Sequence, residues 1–264
     1  MRVMAAALAL GGMSVSLAQA DDADLAKQLS NPVSSLISVP FQYNHDCCFG
    51  PSRGHRDTLN IQPVVPLKLN EEWNLIVRTI LPVVHWQEPA PTVGTHSGLG
   101  DITQSFFFSP RAPTSGGIVW GIGPVFLWPS ATDDSLGAKQ WGAGPTAVLL
   151  KQEHGWTYGI LANHIWSYAP VNSGARDVST TFLQPFLNHT WPDTTGITIN
   201  TEATYDWVAD QWTVPINLQV SRIFKFGTQP VSLSIGPRYY VETPRDGPRW
   251  GVRFSATLLF PVKN

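Results

Sequence analysis

The stretches TGITINTEATYDW, residues 195–207, and WTVPINLQVSR, residues 212–222, decide the fold. In the first, Ile197, Ile199, Ala203, Tyr205 and Trp207 alternate with Thr198, Asn200, Glu202, Thr204 and Asp206. In the second, Trp212, Val214, Ile216, Leu218 and Val220 alternate with Thr213, Pro215, Asn217, Gln219 and Ser221. A strict period of two predicts two strands, each with one apolar and one polar face. The short link Val208–Gln211 makes them a hairpin. Each strand is long for a soluble sheet and suits a tilted bilayer crossing. Tyr205, Trp207 and Trp212 fall at one end of the apolar face, where an interfacial aromatic belt would lie.

The rest of the chain repeats this unit. Alternating segments run over residues 35–43, 58–69, 72–86, 99–108, 117–128, 140–150, 156–168 and 177–189 before the opening hairpin, and over 231–242 and 250–260 after it. That predicts an all-β fold: a transmembrane, antiparallel, up-and-down β-barrel of about 12 strands. Connections after odd strands are mostly the longer ones, so both ends of the mature chain are expected on the periplasmic side. One barrel domain, residues 32–264, follows a periplasmic arm, residues 21–31, in which Leu25, Ala26 and Leu29 have helical spacing.

Composition agrees. Charged residues make up 14% of the 264 residues and aromatics 11%, including 11 Trp. Mean hydropathy is −0.04. A soluble domain would carry about 25% charged residues. A net charge of −2 with no Lys/Arg run argues against nucleic-acid binding. At the N-terminus, Arg2, the apolar or small run 3–17 and Ala18-Gln19-Ala20 read as a secretory leader, residues 1–20, cleaved after Ala20. No later apolar run reaches the ~18 residues of a membrane helix.

The tryptophans bear on the barrel independently. Trp86, Trp128, Trp141, Trp166, Trp207, Trp212 and Trp250 are expected at outer strand ends, and Trp73, Trp120, Trp156 and Trp191 at periplasmic ends, forming two belts. A β-sandwich would bury tryptophan in mid-strand. Nine prolines resist the pattern: Pro40, Pro63, Pro66, Pro82, Pro124, Pro145, Pro185, Pro215 and Pro237 fall inside strands. Proline donates no ladder bond, so bulges or bends are expected there.

The segments NPVSSLISVPFQYN (31–44), LNIQPVVPLKLNEEWNLIVRTILPV (59–83), SGLGDITQSFFFSP (97–110), GPVFLWPSATDD (123–134), QWGAGPTAVLLKQ (140–152) and WTYGILANHIWS (156–167) resemble a bacterial outer-membrane transporter family grouped with the phenol meta-cleavage-pathway barrels. The resemblance spans nearly the whole mature chain. It implies an outer-membrane barrel passing small solutes, aromatic or hydrophobic ones among them, and brings no catalytic residue with it. Many outer-membrane chains end on an aromatic residue; here Phe260 is followed by Pro-Val-Lys-Asn.

The polar faces place Gln62, Lys68, Arg78, Asp101, Gln184, Asn200, Glu202, Asn217, Gln219, Arg238, Glu242 and Arg253 toward the lumen. Antiparallel pairing sets Gln62 opposite Arg78, Glu202 near Asn217, and Arg238 near Arg253. Adjacent arginines require counter-charge, for which Glu202 and Glu242 are the candidates. Two readings follow: a constriction that selects solutes by charge, or a salt-bridge network filling a closed structural or binding barrel.

An enzyme is not expected. No Gly-x-Ser-x-Gly motif occurs, and His164 reads as an interfacial aromatic-like residue. No cofactor or metal is expected. The adjacent Cys47 and Cys48 allow two thiols, a vicinal disulfide or, with His45, Asp46 and His55 nearby, a metal site of no recognised spacing. The expected partners are outer-membrane lipid, a small-molecule solute and the barrel-assembly machinery.

Overall fold

The computed structural model describes residues 22–87 and 94–261. The expected leader and its cleavage site lie outside the described residues. A helix, α1 (residues 22–29), precedes fifteen strand segments: β1 (Ile37–Phe49), β2 (Gly54–Ile61), β3 (Val64–Lys68), β4 (Trp73–Gln87), β5 (His96–Leu99), β6 (Ile102–Pro110), β7 (Ile118–Trp128), β8 (Gln140–Glu153), β9 (Trp156–Pro170), β10 (Ser179–Thr190), β11 (Gly196–Thr201), β12 (Ala203–Asp206), β13 (Gln211–Phe226), β14 (Gln229–Glu242) and β15 (Trp250–Phe260).

Every pairing is antiparallel and joins chain neighbours once β2/β3, β5/β6 and β11/β12 each count as one strand, and β15 returns to pair with β1 from Ile37↔Phe260 to Cys47↔Trp250. The sheet therefore closes. Three strands are each interrupted once, as β2/β3, β5/β6 and β11/β12, so the segments form a closed 12-strand barrel. Closure leaves no edge, which satisfies the backbone without water.

The side chains sort by parity. On β13, Trp212, Ile216, Leu218, Val220 and Phe224 are exposed on the outside, while Asn217 is fully buried within. On β15, Val252 and Phe254 face out, and Arg253, Ser255 and Thr257 face in. This is the inverse of a soluble protein: large apolar side chains on the outer surface, polar ones inside.

Prolines explain the irregular places. Pro63 lies in the β2/β3 interruption. Pro215 marks a register shift between β13 and β14. Pro124 sits directly opposite Pro145 on β7 and β8. Pairing of β8 with β9 then skips from Ala143↔Trp166 to Thr146↔Asn163. Gly144 covers the gap by packing against its neighbour's backbone: an added Cβ would run into the carbonyl oxygen of His164. Gly144→Ala is therefore expected to force the strands apart and cost about 1–3 kcal/mol. A lowered urea midpoint for folding, read by heat-modifiable gel mobility, would show it; an unchanged midpoint would refute the packing account.

The N-terminal arm does not hang free. Leu25, Ala26 and Leu29 of α1 pack with Leu36 and with Ile223 and Leu259, which point inward at the ends of β13 and β15. Farther along, Val33 packs on Ile76, Phe107, Val148, Leu150 and Leu161 of the inner wall. Polar contacts fix the arm in place: Gln152 Nε2 donates to Lys27 O at 2.8 Å, Ser30 and Thr157 hydroxyls meet at 2.8 Å, and Lys225 pairs with Asp22 at 2.7 Å. The helical spacing seen in the sequence thus serves a plug in the mouth where β1 begins and β15 ends.

Candidate functional site: the barrel interior

The interior is organised around Glu202, in the gap between β11 and β12. Its neighbours across the wall explain the gap. Pairing of β10 passes from Leu183↔Ala203 to Phe186↔Asn200, skipping Gln184 and Pro185. Pairing of β13 passes from Ile216↔Thr201 to Thr213↔Thr204, skipping Val214 and Pro215. The prolines on both flanks have no N–H to give, so the chain at Glu202 leaves the ladder. Its side chain reaches into the lumen and grips Arg253: Nη1 donates to Oε1 at 2.8 Å and Nη2 to Oε2 at 2.7 Å. Such two-pronged contacts are among the strongest hydrogen bonds in proteins.

Around this pair a layer assembles. Arg253 Nε and Arg238 Nη1 both donate to Asn44 Oδ1, at 2.7 and 2.9 Å. Arg238 Nη1 also reaches Glu202 Oε2 at 3.5 Å, and its Nη2 donates to Tyr240 Oη at 2.9 Å. Arg238 Nε lies 3.2 Å from Asp46 Oδ1. That contact is close but misaligned for a hydrogen bond, since both atoms lack a hydrogen-bond partner among the described residues. Asn217 Nδ2 donates to Asn200 Oδ1 at 2.7 Å. Arg78 Nη2 donates to Gln62 Oε1 at 3.0 Å.

Several expected positions fall elsewhere. Glu242 is exposed at the end of β14, where Gln211 donates to it at 3.3 Å, so it does not face the arginines. Asp46 takes that place. It lies beyond the alternating segment 35–43, whereas β1 continues to Phe49. The alternation of Ser38, Pro40, Gln42, Asn44 and Asp46 with Val39, Phe41, Tyr43, His45 and Cys47 was the available signal. Asp101 is a loop anchor: it accepts the N–H of Ala131 at 3.1 Å and of Ala138 at 2.6 Å, tying loop 129–139 to the β5/β6 interruption. Gln219 accepts from Ser234 at 3.2 Å and lines an inner cavity.

Trp86 differs from the other tryptophans. It shares the inward face of β4 with Ile76 and Arg78, and its ring meets Phe49 at 5.5 Å while Arg56 stacks on both. Elsewhere, the Trp128 ring packs on Trp141 at 5.3 Å and the Trp73 ring on Trp120 at 5.8 Å. Cys47 and Cys48 form a vicinal disulfide, with Cys48 at φ 77°. That left-handed residue shifts the β1–β2 register and brings Phe49 inward.

One cluster has the residue types of a hydrolase triad. Ser135, His96 and Asp133 cluster, but Ser135 Oγ and Asp133 Oδ2 both approach His96 Nδ1, at 2.9 and 3.1 Å. A triad needs the acid on one ring nitrogen and the nucleophile on the other. The cluster instead fastens the loop: the Ser135 hydroxyl and N–H, with His96, hold the Asp133 carboxyl down at about 2. A depressed carboxylate stabilises above its unfolded value and loses that contribution as pH falls through about 2. His164 packs on Trp166 at 4.0 Å and bonds Thr181 at 2.7 Å on the outer face. Among the described residues no metal-binding group of His, Cys, Asp or Glu is present.

A crystal structure of an outer-membrane channel from Pseudomonas putida F1 matches this chain with a TM-score of 0.66 at 15% identity, over 86% of this chain and 96% of that one. The fold is that of an outer-membrane β-barrel. The barrel fold expected from the sequence thus agrees with the comparison of structures. More distant matches are the β domain of the Bordetella autotransporter Brka, TM-score 0.45 at 10% identity over 86% of this chain and 100% of that one, and BamA from Haemophilus ducreyi lacking POTRA domains 1–3, TM-score 0.40 at 8% over 80% and 56%. No family model and no curated protein matches the chain.

Inside the outer-membrane barrel, a cavity of about 280 Å³ touches the plug on one side. Ala26 and Leu29 of the plug, Gln42, Gln62, Gln219 and Phe186 are among its walls. The inner wall has two characters. One arc, from β13 through β15 to β2, is polar; the other carries Ile76, Phe107, Phe182 and Phe186.

Proposed function

We propose that the chain is a passive outer-membrane channel for small solutes, closed at its periplasmic mouth by its own N-terminal arm. The observation that carries this reading is the polar, cavity-bearing interior ending on a docked arm rather than on barrel wall. A barrel built only to anchor other groups needs no such removable closure. The apolar arc of Phe107, Phe182 and Phe186 favours solutes with an aromatic or aliphatic body, as does the family resemblance. Export by a cleaved leader, insertion by the barrel-assembly machinery and residence in outer-membrane lipid complete the reading.

The charged layer narrows the path. Three lumen arginines, Arg78, Arg238 and Arg253, face two carboxylates, Asp46 and Glu202. That surplus favours anions over cations. The test is permeability in liposomes holding the purified chain, with heat-modifiable gel mobility confirming folding. Swelling in small aromatic and ionic solutes is expected. A folded barrel that passes neither would favour the second reading, a sealed structural or binding barrel, for which the tight Glu202–Arg253 layer is the supporting observation.

A further inference from the structure

Arg78 stands apart in the charged layer. Glu202 is committed to Arg253 and Arg238, and Asp46 lies against Arg238. Arg78 donates one side-chain hydrogen bond, to a neutral amide, and no carboxylate among the described residues lies within 4 Å of it. The residue keeps partial exposure on the inward face of β4, and its partner Gln62 lines the inner cavity. A guanidinium presents five donors in a planar fork suited to a carboxylate, and most of that capacity is unused here.

Its surroundings are equally specific. Arg78 lies two residues from Ile76 on the inward face of β4, opposite Val64 on β3 and Ser105 on β6. Phe107 continues that face of β6 opposite Ile76. Phe182 and Phe186 pack onto the same cluster. The cation therefore sits where the apolar arc ends and the polar arc begins. Gln62, its hydrogen-bond partner, and Phe186 both line the inner cavity. One rim of that space offers an aromatic face and, beside it, an amide backed by a guanidinium.

We infer that Arg78 and Gln62 form the head-group subsite for a small organic carboxylate whose apolar body rests against Phe186 and Phe182. The carboxylate takes the Arg78 fork in two parallel N–H···O bonds, displacing the Gln62 amide oxygen, whose NH2 then donates to the same anion. A cavity of about 280 Å³ suits a single-ring or short-chain acid; it is at the small end of ligand pockets, too small for a membrane lipid. A neutral aromatic gains the wall without the fork, and acetate gains the fork without the wall. The biological meaning of the subsite rests on the channel reading; its existence does not.

Titration calorimetry on the full mature chain in lipid nanodiscs tests it, with benzoate, benzyl alcohol and acetate as probes. Benzoate is expected to bind about tenfold or more tightly than benzyl alcohol, since a hydrogen bond to a charged group is worth about that factor, and about tenfold or more tightly than acetate, since the ring leaves water for the aromatic wall. Arg78→Gln should bring benzoate down to the level of benzyl alcohol, and Arg78→Lys should keep part of the preference. Equal binding of the three probes, or an unchanged preference in folded Arg78→Gln, would overturn the assignment. Should Arg78→Gln fail the gel test of folding, the probe series on the wild type and on Arg78→Lys decides. Bilayer current is recorded beside the titrations. Benzoate preference without any current leaves the subsite and overturns the channel; current without the preference does the reverse.

Discussion

Replacing Glu202 by glutamine is expected to destabilise the barrel by about 3 kcal/mol. The side chain stays almost the same size, so packing is preserved and only the charge is lost. Arg253 is 1% exposed and donates from both of its Nη atoms to Glu202. Removing one partner of such a pair typically costs about 3–5 kcal/mol, because the remaining charge is left buried without compensation. The lower end applies here, since the Glu202 side chain is 21% exposed to the lumen and water there relaxes around the arginine. Urea titration of folding, followed by gel mobility and tryptophan fluorescence, measures the loss. The double variant Glu202→Gln, Arg253→Gln should recover part of it. A shift below about 1 kcal/mol would mean that the pair is an ornament of the lumen rather than part of its frame. In planar bilayers the same Glu202→Gln change adds one net positive charge to the layer and should raise anion preference.

The second large effect is expected on removing the arm. Joining residues 1–21 directly to Ile37 deletes α1 and residues 30–36. None of these residues belongs to a strand, and β1 keeps its full ladder with β15. The barrel should therefore still fold and show heat-modifiable mobility. What disappears is the packing of Leu25, Ala26 and Leu29 on Ile223 and Leu259, and of Val33 on the inner wall. The inner cavity then opens directly into the terminal mouth. Single-channel conductance should rise several-fold and become steadier, because pore conductance follows the narrowest cross-section. Unchanged conductance in the folded deletion would place the obstruction at the charged layer instead of the arm.

Most of the fold was legible in the chain because a barrel strand has two solvents. Lipid outside and water or polar packing inside impose a period of two that survives even where prolines interrupt it, as between Leu218 and Val220 after Pro215. The Glu202–Arg238–Arg253 constellation followed from parity alone, since all three fall on polar faces of nearby strands. Parity also put Glu242 there. It failed because a register shift at Val214/Pro215 and the end of β14 carry that side chain to the exposed rim. Asp46 was overlooked for a different reason. Glycines, histidines and paired cysteines around it look like a loop, while the closing ladder with β15 holds it in strand as far as Cys47↔Trp250. Such a partner is invisible in local sequence. Trp86 was assigned to the belt by position along the strand, but which face it occupies depends on the pairing of Phe49 and Arg56 across β1 and β2. The arm could be seen as helical and amphipathic; that its apolar side enters the mouth depends on Ile223 and Leu259 pointing inward some two hundred residues away.

The central claim is that the polar face of these strands borders water and the apolar face borders lipid. Single-cysteine labelling tests it most directly, with Cys47 and Cys48 held in their disulfide. Ser234 and Ile235 are neighbours on β14, the first toward the cavity and the second 57% exposed on the outer wall. With the chain in lipid bilayers, a small anionic methanethiosulfonate should modify Ser234→Cys and spare Ile235→Cys. Modification should quicken when the arm is deleted. Protection of Ser234→Cys in the folded, arm-deleted barrel, or modification of both positions alike, would contradict an aqueous path through this interior.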